Sequence, residues 1–348
     1  MNPLALFMLI TALLSGTFIT LSSTNWLMAW MGLEINTMAI IPIIARSHHP
    51  RATEAATKYF LIQAPAAATI LFGAVMNIWL SGQWQINQTP ASLPVTLILI
   101  SLAFKMGMAP VHSWLPEVLQ GLDIKTALVL STWQKIAPLS IIIQLDSSHS
   151  PILILLGVLS ILIGGWGGLN QTQTRKILAY SSITHMGWMM MILQFSKELT
   201  ILTFLVYVLM TFSVFIILLQ NNATSMNKLS TLSTHSPIIS ASIPLLLLSL
   251  GGLPPLTGFM PKWLIIQELS RLGLFGLTTI AALGGLLSLY FYLRLSYSAS
   301  MTISPSNNLV TSSWRLPANR MPIMLKPSII LSMMLLPITP MITSFLTY

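Results

Sequence analysis

The sequence predicts an all-α polytopic membrane protein that crosses the bilayer about eleven times. Only 7% of its 348 residues are charged and 54% are hydrophobic, whereas an average soluble domain is about 25% charged. The apolar residues fall in runs of roughly 20, which is the length that a helix needs to cross a hydrocarbon core of about 30 Å. Helices also satisfy their own backbone hydrogen bonds in lipid. No segment has the composition of a soluble domain.

The predicted spans follow one another with short connections, and they are 4–23, 25–45, 57–80, 94–119, 124–145, 151–169, 175–194, 199–220, 238–267, 273–297 and 325–346. One longer connection, 298–324, is rich in Ser, Asn and Pro, which is typical of a loop. A single helix is expected after it, within 325–348. The chain does not begin with a basic segment followed by a cleavage site, so no cleavable signal peptide is predicted.

Two spans contain Pro and Gly at densities that should break a transmembrane helix. The fourth span, 94–119, holds Gly107, Pro110 and Pro116, and the ninth, 238–267, holds three Gly and three Pro within eleven residues. Backbone freed by such a break must face a cavity or packed protein, because lipid offers it no hydrogen-bond partners.

The two predicted breaks are five spans apart, and an odd offset reverses the orientation of a helix across the membrane. Residues 1–150 and 151–297 are therefore predicted to form two inverted five-helix repeats, each with one discontinuous helix, which is typical of transporters. Ordinary proline kinks are the alternative. A matched pair of breaks, each accompanied by a lysine, favours the repeats.

Charges in the predicted loops are distributed unequally between the two sides of the membrane. The loops after even-numbered spans, counted with the span ends beside them, carry eleven basic and three acidic residues, and those after odd-numbered spans carry two basic and three acidic ones. Positive loops stay on the cytoplasmic or matrix side. The N-terminus is therefore predicted on that side, and with eleven spans the C-terminus lies opposite.

Four charged residues lie well inside predicted spans, at least five residues from either end: Glu34, Lys105, Lys135 and Lys262. A charge at the centre of a spanning helix costs about 2.5–3.5 kcal/mol on insertion scales, so each requires a reason. Lysines can extend towards the interface, and one acid can neutralise one lysine as a structural ion pair. Neither alternative explains the whole set, because three lysines cannot all pair with one carboxylate.

Proton transfer is the chemistry that these four residues suit. A lysine in water is too basic to release a proton near neutrality, but burial weakens its hold on the proton and a nearby carboxylate strengthens it. A Glu–Lys pair of adjustable separation is thus a switch of proton affinity. We expect Glu34 to control Lys105 in this way, with Lys135 and Lys262 continuing the relay.

Two histidines are further candidates, as auxiliary members of the relay. His112 follows the first predicted break, and His185 lies within the seventh span. The seventh span is the predicted repeat partner of the second, so His185 is expected at the position that corresponds to Glu34. Imidazole titrates near neutrality and can relay protons. A packed, hydrogen-bonded histidine is the alternative at each position.

Composition excludes several other classes of function. The chain has no Cys, which excludes disulfides and cysteine-ligated iron–sulfur clusters and disfavours structural zinc. Its net charge of +9 is spread singly over short loops, without a basic stripe, so nucleic-acid binding is not expected. No GxGxxG or Walker motif is present, and no cofactor-binding or metal site is predicted.

Six segments give the sequence a clear family resemblance. They are WMGLEIN at 30–36, EAATKYF at 54–60, FKMGMAPVHSWLPE at 104–117, STWQKIAP at 131–138, SSITHMG at 181–187 and GLPPLTGFMPKW at 252–263. With them the chain resembles the subunit 2 family of mitochondrial NADH dehydrogenase (ubiquinone), one of the antiporter-like membrane-arm subunits of respiratory complex I. The segments extend over most of the chain, and their combination is specific. The short length and eleven spans resemble the animal form, which lacks three N-terminal helices of bacterial relatives.

The resemblance implies proton pumping across the mitochondrial inner membrane, driven by quinone reduction elsewhere in the complex. Glu34 and Lys105 match the family's charged pair, Lys135 its central relay lysine, and Lys262 the lysine of its second broken helix. NADH, FMN, iron–sulfur clusters and ubiquinone would be bound by other subunits. The implied partners are those subunits, including neighbouring antiporter-like ones, and membrane lipids such as cardiolipin.

Two rival functions are distinguishable in principle. A free-standing cation/proton antiporter of the same fold would need several buried oxygen ligands for Na⁺ or K⁺, preferably carboxylates, and Glu34 is the one carboxylate well inside a predicted span. A non-conducting membrane scaffold would not need paired broken helices bearing lysines. Purification as a lone transporter would favour the first rival.

Overall fold

The computed structural model of the chain describes residues 2–47, 49–86, 92–145, 151–230, 237–301 and 325–346. Within these ranges every extended regular element is a helix, as the sequence predicts. The helices are α1 (Pro3–Ser22), α2 (Trp26–Ile44), α3 (Pro50–Ser81), α4 (Ser92–Met106), α5 (Trp114–Gly121), α6 (Ile124–Thr132), α7 (Ile136–Gln144), α8 (Pro151–Gly168), α9 (Thr174–Leu193), α10 (Lys197–Gln220), α11 (Met226–Ser230), α12 (Pro237–Gly251), α13 (Phe259–Arg271), α14 (Phe275–Ser300), α15 (Leu325–Met334) and α16 (Thr339–Leu346).

Long apolar helices support a membrane location. Counting Ile124–Gln144 as one, seven of the described helices are long and apolar enough to cross a membrane. Large apolar side chains are exposed on their outer faces: Phe7 and Phe18 are each 65% exposed, and Trp79 is 88% exposed. Apolar surface on this scale is unfavourable in water but is what lipid tails contact. Eleven crossings remain a prediction, as does the loop over 298–324, most of which lies outside the described residues.

Both predicted helix breaks are observed. The chain leaves helical geometry between α4 and α5 at Gly107, with φ +73°, and between α12 and α13 at Gly252, with φ +83°. Positive φ is readily adopted by glycine because it has no Cβ. Pro116 and Pro261 are the third residues of α5 and α13, where a helix tolerates proline because the first N–H groups have no intrahelical partner.

A further distortion lies within the fifth predicted span. Between α6 and α7, residues Trp133–Lys135 form a 3₁₀ turn. Pro138 explains it, because proline has no N–H to donate to the carbonyl of Gln134 and its ring crowds that carbonyl. The apolar pattern alone does not predict this distortion. The last predicted span is interrupted in the same way, by a 3₁₀ turn at Leu336–Ile338.

The chain divides into two compact units. The first comprises Met1–Ser160 with Leu193–Lys197, and the second comprises Ile161–Ile192 with Glu198–Tyr348. The division passes through α8, so it lies slightly later in the chain than the boundary predicted between the repeats. The inverted arrangement of two repeats stays a prediction.

In the first unit, a short backbone pairing joins the start of α2 to the segment that follows α3. The amide of Trp26 donates to the carbonyl of Trp84 at 3.1 Å, and the amide of Ile86 donates to the carbonyl of Thr24 at 2.9 Å. The two hydrogen bonds flank an isolated antiparallel bridge. They fix where α2 begins relative to the end of α3.

The second unit contains the same pairing between the start of α9 and the segment after α10. The amide of Thr174 donates to the carbonyl of Thr224 at 3.3 Å, and that of Met226 donates to the carbonyl of Thr172 at 3.1 Å. Again the bonds flank an antiparallel bridge. The first residue of α2 and the first residue of α9 therefore have equivalent surroundings.

A close helix crossing recurs in the same register. A Cβ on Gly16 of α1 would lie 2.5 Å from the side chain of Asn36, and a Cβ on Gly164 of α8 would lie 2.7 Å from the side chain of Thr184. Asn36 and Thr184 are both the eleventh residue of their helices. Small residues at such crossings let membrane helices approach closely. The backbone pairing and the close helix crossing align the two units at the same residues, and this agreement supports the proposal of a structural repeat.

Candidate functional site

The first unit contains a small, partly polar cavity, with about 20 Å³ of space for the centres of water molecules. Residues from the helices α2 to α7 and from the 3₁₀ turn at Trp133–Lys135 line it, and the polar or aromatic ones are Asn36, Thr37, Tyr59, Gln63, Lys105, Trp114, Gln134 and Lys135. Two of the three predicted relay lysines thus face one cavity. Polar residues are expensive within a membrane and are usually directed at such internal spaces.

Lys105 is the residue before the last in α4, immediately ahead of the first helix break. It is 8% exposed, and its ammonium has no hydrogen-bond partner among the described residues. The free carbonyls and the partial negative charge at the C-terminal end of a helix favour a cation there. The break therefore supplies a polar setting for a buried charge that lipid could not.

Glu34, on α2, acts on Lys105 through its charge and not through a direct hydrogen bond. The hydroxyl of Thr37, one helical turn later, lies 2.9 Å from both the carboxylate and the backbone carbonyl of Glu34 and can donate its one proton to either. The charge of Glu34 interacts with Lys105 and with Tyr59. Glu34 is half-buried and does not itself line the cavity. The predicted pair is thus close in space, with its charges separated.

Lys135 is 2% exposed and lies at the end of the 3₁₀ turn between α6 and α7. A tightened turn in the middle of a membrane helix changes which backbone groups are paired, so its carbonyls can face polar neighbours. The distortion caused by Pro138 therefore coincides with the most deeply buried of the predicted relay residues. Both relay lysines of this unit lie beside irregular backbone.

Amide and indole groups in the cavity wall were not predicted as site residues. Gln63, Gln134 and Trp114 each place a buried side-chain nitrogen without a hydrogen-bond partner among the described residues, and Asn36 does so with both its amide nitrogen and its oxygen. Buried polar atoms in a polar cavity are normally satisfied by ordered water. The sequence did hold a signal, because amide side chains are rare inside apolar spans.

Lys262 has a different environment, in the second unit. Its ammonium donates a 2.7 Å hydrogen bond to the carbonyl of Gly251, the last residue of α12. Its side chain lies over Gly252, where a Cβ would be 3.0 Å from the Lys262 Cδ. Lys262 thus reaches back from α13 and caps the C-terminus of α12, which stabilises the orphan carbonyls at that end.

The two lysines of the broken helices are not at equivalent positions. Lys105 precedes the first break, whereas Lys262 follows the second, in the fourth position of α13. The fourth position of α5 is Glu117. Glu117 forms an exposed ion pair with Lys58 at 2.9 Å, and Lys58 also pairs with Glu54 at 2.8 Å. Exposed pairs of this kind contribute little stability.

The two candidate histidines also differ from each other. His112 lies in the first break, half-buried, with Nδ1 3.1 Å from the carbonyl oxygen of Pro110, and it does not line the cavity. His185 is 7% exposed and packs against Tyr207 with ring centroids 5.3 Å apart. The expectation that His185 matches Glu34 is wrong in the observed register, because the ninth residue of α9 is Ser182.

Within the described part of the chain, no three His, Cys, Asp or Glu side chains are grouped so that they could hold a metal ion. The polar groups of the cavity are lysines, amides, a hydroxyl, a phenol and an indole. This set can bind water and carry protons, but it contains no carboxylate to balance the charge of a bound Na⁺ or Ca²⁺.

The fold and the cavity define the class to which the chain belongs. Residues 23–288 match the family described as "NADH:quinone oxidoreductase/Mrp antiporter, TM", and residues 289–343 match the family described as "NADH dehydrogenase subunit 2 C-terminus". Together they cover most of the chain. The chain therefore belongs to the antiporter-like membrane proteins of this family, and specifically to its NADH dehydrogenase subunit 2 branch.

Relatives agree with this assignment. The chain is 56% identical over 340 residues to NADH-ubiquinone oxidoreductase chain 2 of Tetraodon nigroviridis, covering 98% of each chain. It is 55% identical over 348 residues to the protein of the same name from Salmo salar, covering 100% of each. Its structure resembles a chain of respiratory complex I from Thermus thermophilus with a TM-score of 0.85 and 27% identity, covering 98% of this chain and 80% of that one.

Proposed function

We propose that this chain is a proton-translocating membrane-arm subunit of NADH:ubiquinone oxidoreductase. Relatives named NADH-ubiquinone oxidoreductase chain 2 match the chain over 98–100% of their length. The observation that carries the proposal is the cavity of the first unit, which joins the unpartnered ammonium of Lys105 to the buried Lys135. Ionisable side chains are costly inside a membrane, and where they line a cavity they usually mark a pathway for protons or ions.

The proton movement follows from the two charge states of Glu34. While its carboxylate is ionised, it stabilises the ammonium form of Lys105, whose charge it feels. When Glu34 is neutralised, Lys105 loses that stabilisation in a buried setting and gives up its proton. The acceptor is Lys135 across the cavity, which takes up the proton when its amine is neutral. Water held by the unpartnered amides would bridge the two, so no large side-chain movement is needed.

Lys262 is the proposed relay member of the second unit. Its ammonium donates a hydrogen bond to the carbonyl of Gly251, so any movement of the ammonium must break this bond at the C-terminus of α12. His112 and His185 remain proposed auxiliary members. Their settings differ, since His112 lies half-buried within a break and His185 is buried against an aromatic ring.

The setting of this subunit within the complex also belongs to the proposal. NADH, FMN, iron–sulfur clusters and ubiquinone would be bound by other subunits. Neighbouring antiporter-like subunits would be its partners, and lipids such as cardiolipin would cover its apolar faces. We place the chain in the mitochondrial inner membrane with its N-terminus on the matrix side, because the positive loops favour that side.

The rival function, free-standing cation/proton antiport, receives no support from the cavity. Its wall contains two lysines and no carboxylate, and a positively charged wall repels Na⁺ and K⁺. Proton movement that required Na⁺ or K⁺ in the purified chain would favour this rival.

The direct test is Lys135→Ala in the assembled complex. Proton uptake and quinone-coupled NADH oxidation, measured in proteoliposomes, should both fall because the acceptor of the relay is lost. Lys125→Ala is the matched control, since Lys125 is an exposed lysine on the adjoining helix α6, and it should leave both rates unchanged. Normal turnover with an unchanged number of protons per NADH in Lys135→Ala would contradict the proposal.

A further inference from the structure

The segment 252–258, which joins α12 to α13 across the second helix break, folds tightly against the end of α12. A Cβ on Gly258 would overlap the backbone carbonyl of Ser249, in the last turn of α12. A Cβ on Gly252 would lie 3.3 Å from the carbonyl oxygen of Gly258. Gly258 therefore has no space for a side chain, and the segment is in direct backbone contact with α12.

Thr257 connects this segment to the C-terminal helix α15. Its side chain is buried, and its hydroxyl donates a hydrogen bond to the backbone carbonyl of Ser332, which is also buried. α15 ends at Met334, and the last four carbonyls of a helix have no partner within that helix. The carbonyl of Ser332 is one of these four, so Thr257 satisfies a buried group that α15 itself leaves free.

α15 has one face that suits such a close contact. Leu325, Ser328 and Ser332 are buried, and their spacing of three and four residues places them on the same side of the helix. Ile330 and Met334 are exposed. Serine is small, and small residues let membrane helices pack closely. α15 accordingly packs against α12.

The start of α13 connects Thr257 to Lys262. The backbone carbonyl of Thr257 accepts a 3.2 Å hydrogen bond from the amide of Met260, in the first turn of α13. Lys262 is the fourth residue of the same helix, and its ammonium donates to the carbonyl of Gly251 at 2.7 Å. The position of Thr257 therefore sets the position of the Lys262 main chain relative to the carbonyl that the ammonium binds.

We infer that α15 positions Lys262, with Thr257 as the residue that joins them. The hydrogen bond from Thr257 to Ser332 fixes the segment 252–258 and the start of α13, and so holds the Lys262 ammonium at the carbonyl of Gly251. Thr257 is a positioning residue, because it acts through Lys262 and carries no proton itself. The inference rests on the proposed relay role of Lys262.

The role of α15 follows from the chemistry of its buried face. Leu325, Ser328 and Ser332 have no ionisable side chain, and the hydroxyls of both serines donate to carbonyls of their own helix at 2.9 Å. These side chains do not take up protons near neutrality. α15 therefore affects proton transfer by fixing the segment that holds Lys262, and a displacement of α15 would be passed to that lysine.

The test compares Thr257→Val with Thr257→Ser in the assembled complex in proteoliposomes. Thr257→Val keeps the shape of the side chain and removes its hydroxyl, so coupled NADH oxidation and proton uptake should fall about threefold to tenfold, as expected for one lost hydrogen bond. Thr257→Ser keeps the hydroxyl and should stay within about twofold of wild type. Rates in Thr257→Ser as low as those in Thr257→Val would overturn the inference.

Thr203→Val is the matched control. It also removes the hydroxyl of a buried threonine, but that hydroxyl donates to the carbonyl of Thr200 within its own helix, α10. Both rates should be unchanged in Thr203→Val. An equal loss of turnover in Thr203→Val and Thr257→Val would show that any buried hydroxyl has this effect, and would contradict a specific role for α15.

A double variant separates positioning from simple packing. The midpoint of thermal unfolding should fall in Thr257→Val and in Lys262→Met. Thr257→Val combined with Lys262→Met should fall no further than Thr257→Val alone, because the contact of Lys262 with Gly251 is already lost there. Shifts that simply add would mean that Thr257 stabilises the fold independently of Lys262, and the inference would be wrong.

The turnover of Lys262→Met distinguishes failure of this inference from failure of the proposed function. Impaired turnover in Lys262→Met together with normal turnover in Thr257→Val would overturn the inference and leave the relay in place. Normal turnover and proton yield in Lys262→Met would overturn the proposed relay role of Lys262, and this inference with it.

Discussion

The two broken helices use the same backbone device in different ways. Each breaks at a glycine with positive φ, and each resumes as a helix whose third residue is proline. Before the first break, Lys105 is buried with no hydrogen-bond partner in the described chain. After the second, Lys262 is bound to the carbonyl of Gly251 at 2.7 Å. A helix break can thus place a buried lysine at a cavity, as it does with Lys105, or be capped by a lysine, as it is by Lys262.

The largest expected effect on thermal stability comes from a substitution at the second helix break. Gly252→Ala would add a Cβ at positive φ, costing about 1–2 kcal/mol, and would place it 3.0 Å from Lys262, where crowding adds about 1–3 kcal/mol. Gly82→Ala is the control, with φ +72° and open space around the new Cβ. Thermal unfolding of the assembled complex should show a clearly larger loss for Gly252→Ala. Equal losses of thermal stability in the two variants would mean that Lys262 does not pack closely against this break.

The next effect contrasts the two lysines. Lys262→Met should lower thermal stability by about 1–3 kcal/mol, because the Gly251 carbonyl loses its donor. Lys105→Met should abolish coupled turnover with little loss of stability, because it removes a buried charge that has no partner. Stability and turnover measured on both variants test the contrast. A larger loss of stability in Lys105→Met than in Lys262→Met would contradict this contrast.

A smaller effect is expected at the acid. Glu34→Gln keeps the shape of the side chain and removes its charge, so coupled turnover should fall roughly tenfold, equivalent to about 1.4 kcal/mol. Thr37→Val removes the hydroxyl 2.9 Å from the carboxylate and should have a weaker effect in the same direction. Turnover above wild type in Glu34→Gln would show that the carboxylate does not hold the proton on Lys105.

The smallest effect is expected at the exposed charges. Lys58→Ala breaks ion pairs with Glu54 and Glu117, yet it should cost less than about 1 kcal/mol, because exposed pairs are screened by water and salt. Turnover should be unchanged. A large loss of proton pumping in Lys58→Ala would require that this surface cluster be added to the relay.

The sequence was sufficient to predict a helical fold and both helix breaks, because apolar run length, proline and glycine act locally. It also drew attention to Lys105 and Lys135, which line one cavity, since a charge within an apolar span is conspicuous. It failed where the outcome depends on packing between helices. The amides of Asn36 and Gln134 matter only because the fold directs them to one cavity. The position of His185 relative to Glu34 needed the hydrogen-bonded starts of α2 and α9.

The pairing of Trp26 with Trp84 has a mechanical consequence. It ties the first residue of α2 to the segment after α3, so any tilt of α2 against α3 would pivot at that end. Glu34 lies eight residues along the helix, about 12 Å from the pivot at 1.5 Å per residue. Each 5° of tilt would then carry its carboxylate through roughly 1 Å. A rotation of a few degrees at a fixed fulcrum is therefore enough to alter the distance between the acid and its lysine.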